Sequence, residues 1–249
     1  MNNLEMQNVD SKKSQTKGLL EEFNEISDKI YPDPGLLSIV SSLRTWLGLN
    51  ATILIQRLGY NKKKISALQD KPIVLNIGCQ GSKSEDSNCV DTDLLIGNSI
   101  LKFALGKLDY DLLLNVTYYD KNLSNVAEGI VISHVLEHIP STLVITALKN
   151  CYAYLKTGGC IRVSVPNLAL YHQPNFPESE KVHNRILAEN LLIYAWGHKF
   201  MYDAELLTVL MKEAGFSNIK EVTYGKGLLG DQDPAKHSHE SMYLTGIKV

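Results

Sequence analysis

Apolar positions recur at helical spacing in the first quarter of the chain and gather into short runs after it. Leu19, Leu20, Phe23, Ile26 and Ile30 fall three and four residues apart and predict a helix. Pro32 and Pro34 break it. Leu36, Leu37, Val40, Leu43 and Leu47 predict a second helix and residues 51–58 a third, before a solvated linker with Lys62, Lys63 and Lys64. From Pro72 the pattern changes. Residues 73–77, 89–90, 111–116, 129–133 and 160–165 are apolar runs of strand length. Between the last two, Leu143, Ala147, Leu148, Cys151 and Leu155 keep helical spacing, and Gly158-Gly159 supplies a stop. Strands alternating with helices predict a parallel sheet covered on both faces. Residues 203–214 form a further helix with Asp203 as its N-cap. Residues 219–224 and 242–249 are two final strands, expected to pair antiparallel at the sheet edge across a tight turn region.

Composition narrows the class. The chain has 249 residues, and its 25 basic and 27 acidic residues give a formal charge of -2. That balance does not favour nucleic acid as a partner. Four cysteines without a CxxC pair suit a reduced, cytoplasmic protein. Residues 1–17 are polar, carry no signal-peptide core and are expected to be disordered. The most apolar stretch, residues 36–58, contains Arg44, Asn50, Gln56 and Arg57, so stable membrane insertion is not expected. Residues 18–70 form a helical extension, residues 71–249 the main domain, and residues 167–202 a polar and aromatic cap within it.

Two stretches carry chemistry. His134, Glu137 and His138 share the spacing of the inverted zinc-peptidase signature, which needs all three on one helix. The strand-like run before His134 argues against that. The stretch VLNIGCQGSK is a strand followed by a glycine turn, which lets backbone approach a ligand at the carboxyl end of a sheet. Gln80 stands where the dinucleotide fingerprint has its second glycine. Asp91, with Asp93 behind it as second choice, is placed to accept the hydroxyls of a ribose or else to cap the next element.

Taken in order, VLNIGCQG, NCVDTDLL, ISHVLEHIP, LKNCYAYLKTGGCIRVSVPNL and GHKFMYDAELLTVLMKEAGF resemble the class I S-adenosylmethionine-dependent methyltransferases, the likeness running from Pro72 to Val249. It is closest to the branch found in glycan and small-molecule biosynthesis. The resemblance implies an α/β, Rossmann-like doubly wound, mostly parallel seven-stranded sheet with an antiparallel edge strand. It implies S-adenosylmethionine as cofactor, with Gly78, Cys79 and Gly81 around its methionine part, Asp91 or Asp93 at the ribose and Asn115 near the adenine. His134 would sit beside the transferable methyl, as base or as a brace for the loop, with His198 and His172 as other bases. Tyr171, Phe176, Trp196 and Tyr202 would line an acceptor pocket or pack the cap, and Lys199 and Arg185 would meet an anionic acceptor or solvent. Gln80 and Thr157 depart from the family pattern, Gln80 at the cofactor loop and Thr157 in a turn. The implied activity is O-methylation of a sugar or polar small molecule. Two alternatives stand beside it. One is a non-catalytic methyltransferase-like module. The other is metal-assisted transfer, because the stretch is similar to the E-x-x-E-H segment of ubiquinone-biosynthesis and small-RNA 2′-O-methyltransferases, with His134 in place of the first Glu and His134, Glu137, His138 and His198 as ligands. A homodimer is left open.

Overall fold

The computed structural model describes residues 18–30, 36–68, 72–79, 84, 86, 88–172, 182 and 184–249. Seven strands form one sheet: β1 (Val74–Ile77), β2 (Cys89–Asp93), β3 (Leu112–Leu113), β4 (Ala127–Ser133), β5 (Leu155–Pro166), β6 (Ser217–Val222) and β7 (Ser241–Ile247). Their order is β3-β2-β1-β4-β5-β7-β6. The first five pair in parallel, and β7 runs antiparallel to both β5 and the edge strand β6. The order reverses at β1, whose two neighbours are β2 and β4. Carboxyl ends on either side of such a reversal leave a crevice for a ligand.

Successive strand residues face opposite ways, and each face is packed differently. Leu75, Ile77, Ile130, Ile132, Ile161 and Val163 belong to one large buried cluster, together with α3 (Tyr60–Ser66), α5 (Ser141–Tyr154) and α7 (Ala204–Glu213). On β3, Leu112 joins that cluster while its neighbour Leu113 joins another, with Ala51 and Ile55 of α2 (Leu36–Arg57) and Ile100 and Phe103 of α4 (Ser99–Ala104). Helices therefore lie on both faces. A small separate cluster joins Ile26 of α1 (18–30) to Ala188 and Leu192 of α6 (Arg185–Tyr194).

Several boundaries differ from those predicted. The second and third helices are one continuous α2, because Gly48 and Asn50 do not interrupt it. The three lysines lie on α3 rather than in a linker; Lys64 reaches the carbonyl of Asp111 while Lys62 and Lys63 face solvent. α5 stops at Tyr154 and the chain enters β5 at once, so Gly158-Gly159 ends no helix. Asp203 caps α7 as predicted, accepting from the Leu206 amide at 2.7 Å. The largest difference is the link between β6 and β7. It is not a tight turn. Residues 223–240 fold back across the sheet, and Leu229 packs on the face of Gly129 and Val74.

Arg162 holds that link in place. It points from β5 away from the main cluster and is 1% exposed. Its guanidinium pairs bidentately with Asp233 and donates to the carbonyls of Thr223 at 3.1 Å, Lys226 at 2.8 Å and Leu228 at 3.2 Å. It also lies 5.0 Å from the Tyr243 ring centroid. A charge buried in a strand needs such a set of partners.

Candidate active site

β1 is followed by Gly78, which has φ +77°, and a Cβ there would come within 2.4 Å of Val135 Cγ2. Only glycine fits both the left-handed backbone and the close approach of the strand-end segment after β4. The amides of Gly78 and Cys79 donate to the Thr92 carbonyl at 2.9 and 3.2 Å, which ties the glycine turn to the end of β2. A pocket of about 360 Å3 opens here, walled by Gly78, Cys79, Ser84, Ser133, His134 and His237.

The two acidic candidates occupy different levels. Asp91 pairs with Asn76 inside the sheet, two residues short of Gly78, and is 2% exposed. Its carboxylate accepts from Asn76 Nδ2 and the Ser84 amide, both at 2.8 Å. It is therefore not at the strand end. Asp93 is, beside Gly78 and Cys79, half-buried, with Oδ1 accepting from the Leu94 amide at 2.7 Å. Asn115 follows β3 and is buried; its Oδ1 accepts from the amide and hydroxyl of Thr117. Gln80 and Gly81 lie outside the described residues, as do Phe176 and the side chains of Tyr171 and His172.

His134 is the residue after β4. Its φ of +51° is uncommon for a non-glycine residue, and such positions cluster at ligand sites. Nε2 lies 2.7 Å from Ser241 Oγ, whose own proton goes to the His237 carbonyl at 2.7 Å. The serine must therefore accept from His134 Nε2–H. His134 Nδ1 lies 3.3 Å from Glu137 Oε1. Both nitrogens of the first-choice base thus face protein groups.

Glu137 and His138 sit in a short 3-10 turn, Leu136–His138, not on a long helix, which rules out the peptidase arrangement. Glu137 is fully buried, and neither carboxylate oxygen has a hydrogen-bond partner among the described residues. His138 and His198 stand edge to face, ring centroids 4.9 Å apart. Their Nδ1 atoms lie 3.4 and 2.6 Å from the carbonyls of Gly197 and Leu192, so each proton is held there and Nε2 keeps a lone pair. Burial holds the His138 imidazole below its ordinary pKa, and hence neutral at pH 7. Ligand atoms of Glu137, His138 and His198 converge within 4.8 Å. His198 does not line the pocket beside Gly78. Nor do Trp196, which is exposed, or Tyr202, which is buried in the main core. Lys199 is exposed, and Arg185 pairs with Glu189 at 2.8 Å on α6.

Residues of the 223–240 segment complete the pocket and were not singled out from sequence: Gln232, Pro234, Lys236 and His237. One signal was available. An arginine inside an apolar strand run calls for a buried acid elsewhere, and GDQDPAKHSHE holds one in a polar, histidine-bearing stretch.

Comparison with known proteins decides the family. Residues 93–221, just over half the chain, match the model of a methyltransferase domain. The chain belongs to that family. It is a class I S-adenosylmethionine-dependent methyltransferase with the Rossmann-like sheet described above. No curated protein matches it. Among solved structures, PigF with SAH is 16% identical, with 92% of this chain and 68% of that one covered and a TM-score of 0.51. A SAM-dependent methyltransferase from Archaeoglobus fulgidus is 17% identical over 79% of this chain and 94% of that one, with a TM-score of 0.47. The likeness to PigF is one of fold. The residues at the strand ends fit the cofactor. A glycine turn without room for a Cβ adjoins a strand-end carboxylate, which are the two groups that a methionine-bearing nucleoside needs.

Proposed function

We propose that this methyltransferase acts on a hydroxyl oxygen of a sugar or polar small molecule. The observation that carries the reading is the character of the pocket beside Gly78. Ser133, His134, Gln232, Lys236 and His237 give its wall hydroxyl, amide, ammonium and imidazole groups. Such a wall suits a hydroxylated acceptor better than an apolar one. Bound S-adenosylmethionine supplies an activated methyl, so the protein's task is alignment and removal of a proton. Gly78 and Cys79 receive the methionine part. Asp93 takes the ribose hydroxyls, in preference to Asp91, because Asp93 ends β2 while Asp91 lies inside the sheet opposite Asn76. Asn115 borders the adenine from the end of β3. His134 forms part of the wall and steadies the turn after β4.

Calorimetric titration with S-adenosylmethionine tests the assignment. Asp93→Ala abolishes binding, while Asp91→Asn keeps measurable affinity and loses stability. Equal, tight binding by wild type and Asp93→Ala would remove the carboxylate from the ribose site. Transfer of labelled methyl to a panel of sugars, phenols and hydroxy acids then tests the acceptor class.

One observation favours a second reading, metal-assisted transfer. Among the described residues Glu137 is a buried carboxylate without a hydrogen-bond partner, and its ligand oxygen converges with nitrogens of His138 and His198. A set of one carboxylate and two histidines fits zinc or another first-row divalent ion with an open position. Such an ion would lower the pKa of a bound hydroxyl.

A further inference from the structure

We propose that His237, oriented by Glu240, is the general base of this reaction and takes the acceptor's proton at Nε2. The inference rests on the hydroxyl-acceptor reading given above.

Three observations converge. The first is placement. His237 lines the pocket that Gly78 and His134 border, and its ring stacks on His134 with centroids 4.0 Å apart and planes 22° from parallel. The second is tautomer. His237 Nδ1 lies 2.5 Å from Glu240 Oε1, so the carboxylate accepts Nδ1–H and the lone pair is left on Nε2. Among the described residues no protein group takes that nitrogen. His134 offers no equivalent, because Ser241 and Glu137 face both of its nitrogens. The third is rigidity. The His237 carbonyl accepts from Ser241 Oγ at 2.7 Å, and the segment bearing it is fastened to β5 through Asp233 and Arg162. A base on an otherwise irregular connection is thereby held to the sheet that shapes the cofactor site.

The groups facing His237 set its proton affinity. Burial lowers it most; Glu240 opposes, and His134 and Lys236 lower it further. The net direction is down, so the imidazole is neutral and proton-accepting at pH 7. Glu137 faces the stack from beyond His134. In the step itself, the acceptor O–H proton passes to Nε2. The oxygen lone pair forms the O–CH3 bond as the S–CH3 bond breaks, and that pair returns to sulfur. The sulfonium charge ends on the imidazolium, beside Glu240.

The test uses the full chain and two independent readouts. Long-range 15N spectra of the imidazoles, with His237 assigned by its loss in His237→Gln, report the tautomer without any acceptor. Neutral His237 protonated on Nδ1 at pH 7 supports the inference; a proton on Nε2, or a charged ring at pH 7, overturns it. Labelled-methyl transfer to the hydroxyl panel gives the second readout. His237→Gln lowers kcat by at least ~100-fold with cofactor affinity unchanged and removes the acid limb of the pH profile. Glu240→Gln loses less, and Glu240→Asp recovers part of that loss. A His237→Gln enzyme with undiminished kcat overturns the inference. If wild type methylates no hydroxyl on the panel, the acceptor reading fails, and the spectra still decide whether His237 is built as a base.

Discussion

Glu137 concentrates the unresolved electrostatics of this molecule in one residue. An ionised carboxylate at zero exposure with no hydrogen bond from the described residues costs several kcal/mol unless a proton or cation stands beside it. Two neighbours could relieve it: the His134 Nδ1 at 3.3 Å, or an ion shared with His138 and His198. The metal-assisted reading requires the second. Thermal unfolding of wild type and Glu137→Gln with and without Zn2+ or Mn2+ separates them. If an ion binds, the wild-type midpoint climbs with metal concentration, by mass action, and that of Glu137→Gln does not. Without metal, the glutamine variant is the more stable, because an unpaired buried charge is gone. A wild-type midpoint indifferent to both ions, with Glu137→Gln less stable than wild type, would leave the His134 pair as Glu137's partner and sink the metal reading. The sequence spacing of His134, Glu137 and His138 drew attention to these side chains. It could not show that the three serve two different clusters, because φ +51° at His134 turns its ring toward β7 while the next residues turn toward residues 195–198.

At the scale of elements, the decisive feature is the 223–240 connection, and sequence pattern was weakest there. Its residues have neither helical nor strand periodicity, so it reads as a turn. What gives it structure is tertiary: five donor contacts from a single guanidinium. The regular elements, by contrast, were legible, because β1, β4 and β5 each carry a mostly apolar stretch of strand length and α7 carries its own cap. Arg162→Met strands the Asp233 carboxylate and frees three carbonyls, so it should cost about 3–5 kcal/mol in denaturant unfolding. Arg162→Met with Asp233→Asn should recover part of that, since the remaining group is uncharged. Hydrogen exchange supplies the local counterpart. In Arg162→Met the amides of 223–240 lose protection before those of β4 and β5. Unchanged unfolding energy and unchanged exchange would mean that Leu229 and the β6–β7 ladder hold the connection without the arginine.

At the scale of the whole molecule, the question is whether the amino-terminal helices are attached to the methyltransferase core or built into it. Leu43 and Leu47, whose spacing predicts the helix, are both about half exposed or more, as are Trp46, Leu54 and Leu58. Among the described residues, the buried positions of α2 are Gly48, Thr52 and Gln56, four residues apart and polar or small, flanked by Ala51 and Ile55. Thr52 Oγ1 accepts from the Leu95 amide at 2.9 Å, and Gln56 Oε1 from the Asn115 amide at 2.8 Å. On α3, Asn61 brackets Leu113, donating to its carbonyl and accepting from its amide. α2 and α3 thus satisfy backbone groups at the carboxyl ends of β2 and β3, where the adenosine is proposed to lie. Side-chain hydrogen bonds to strand ends leave no mark in a hydrophobic pattern, so periodicity predicts the helix without showing this face. Gly48 offers the sharpest test, since a Cβ there would meet the Leu95 carbonyl oxygen at 1.8 Å. Gly48→Val must push α2 away from the sheet. The expected cost is at least ~1–3 kcal/mol, as for overpacked cores, with weakened S-adenosylmethionine binding because the Asn115 turn loses Gln56. Urea unfolding and cofactor titration of the one variant measure both. Wild-type stability together with wild-type affinity would show α2 to be an appendage. Loss of both would make the helices part of the cofactor site's foundation.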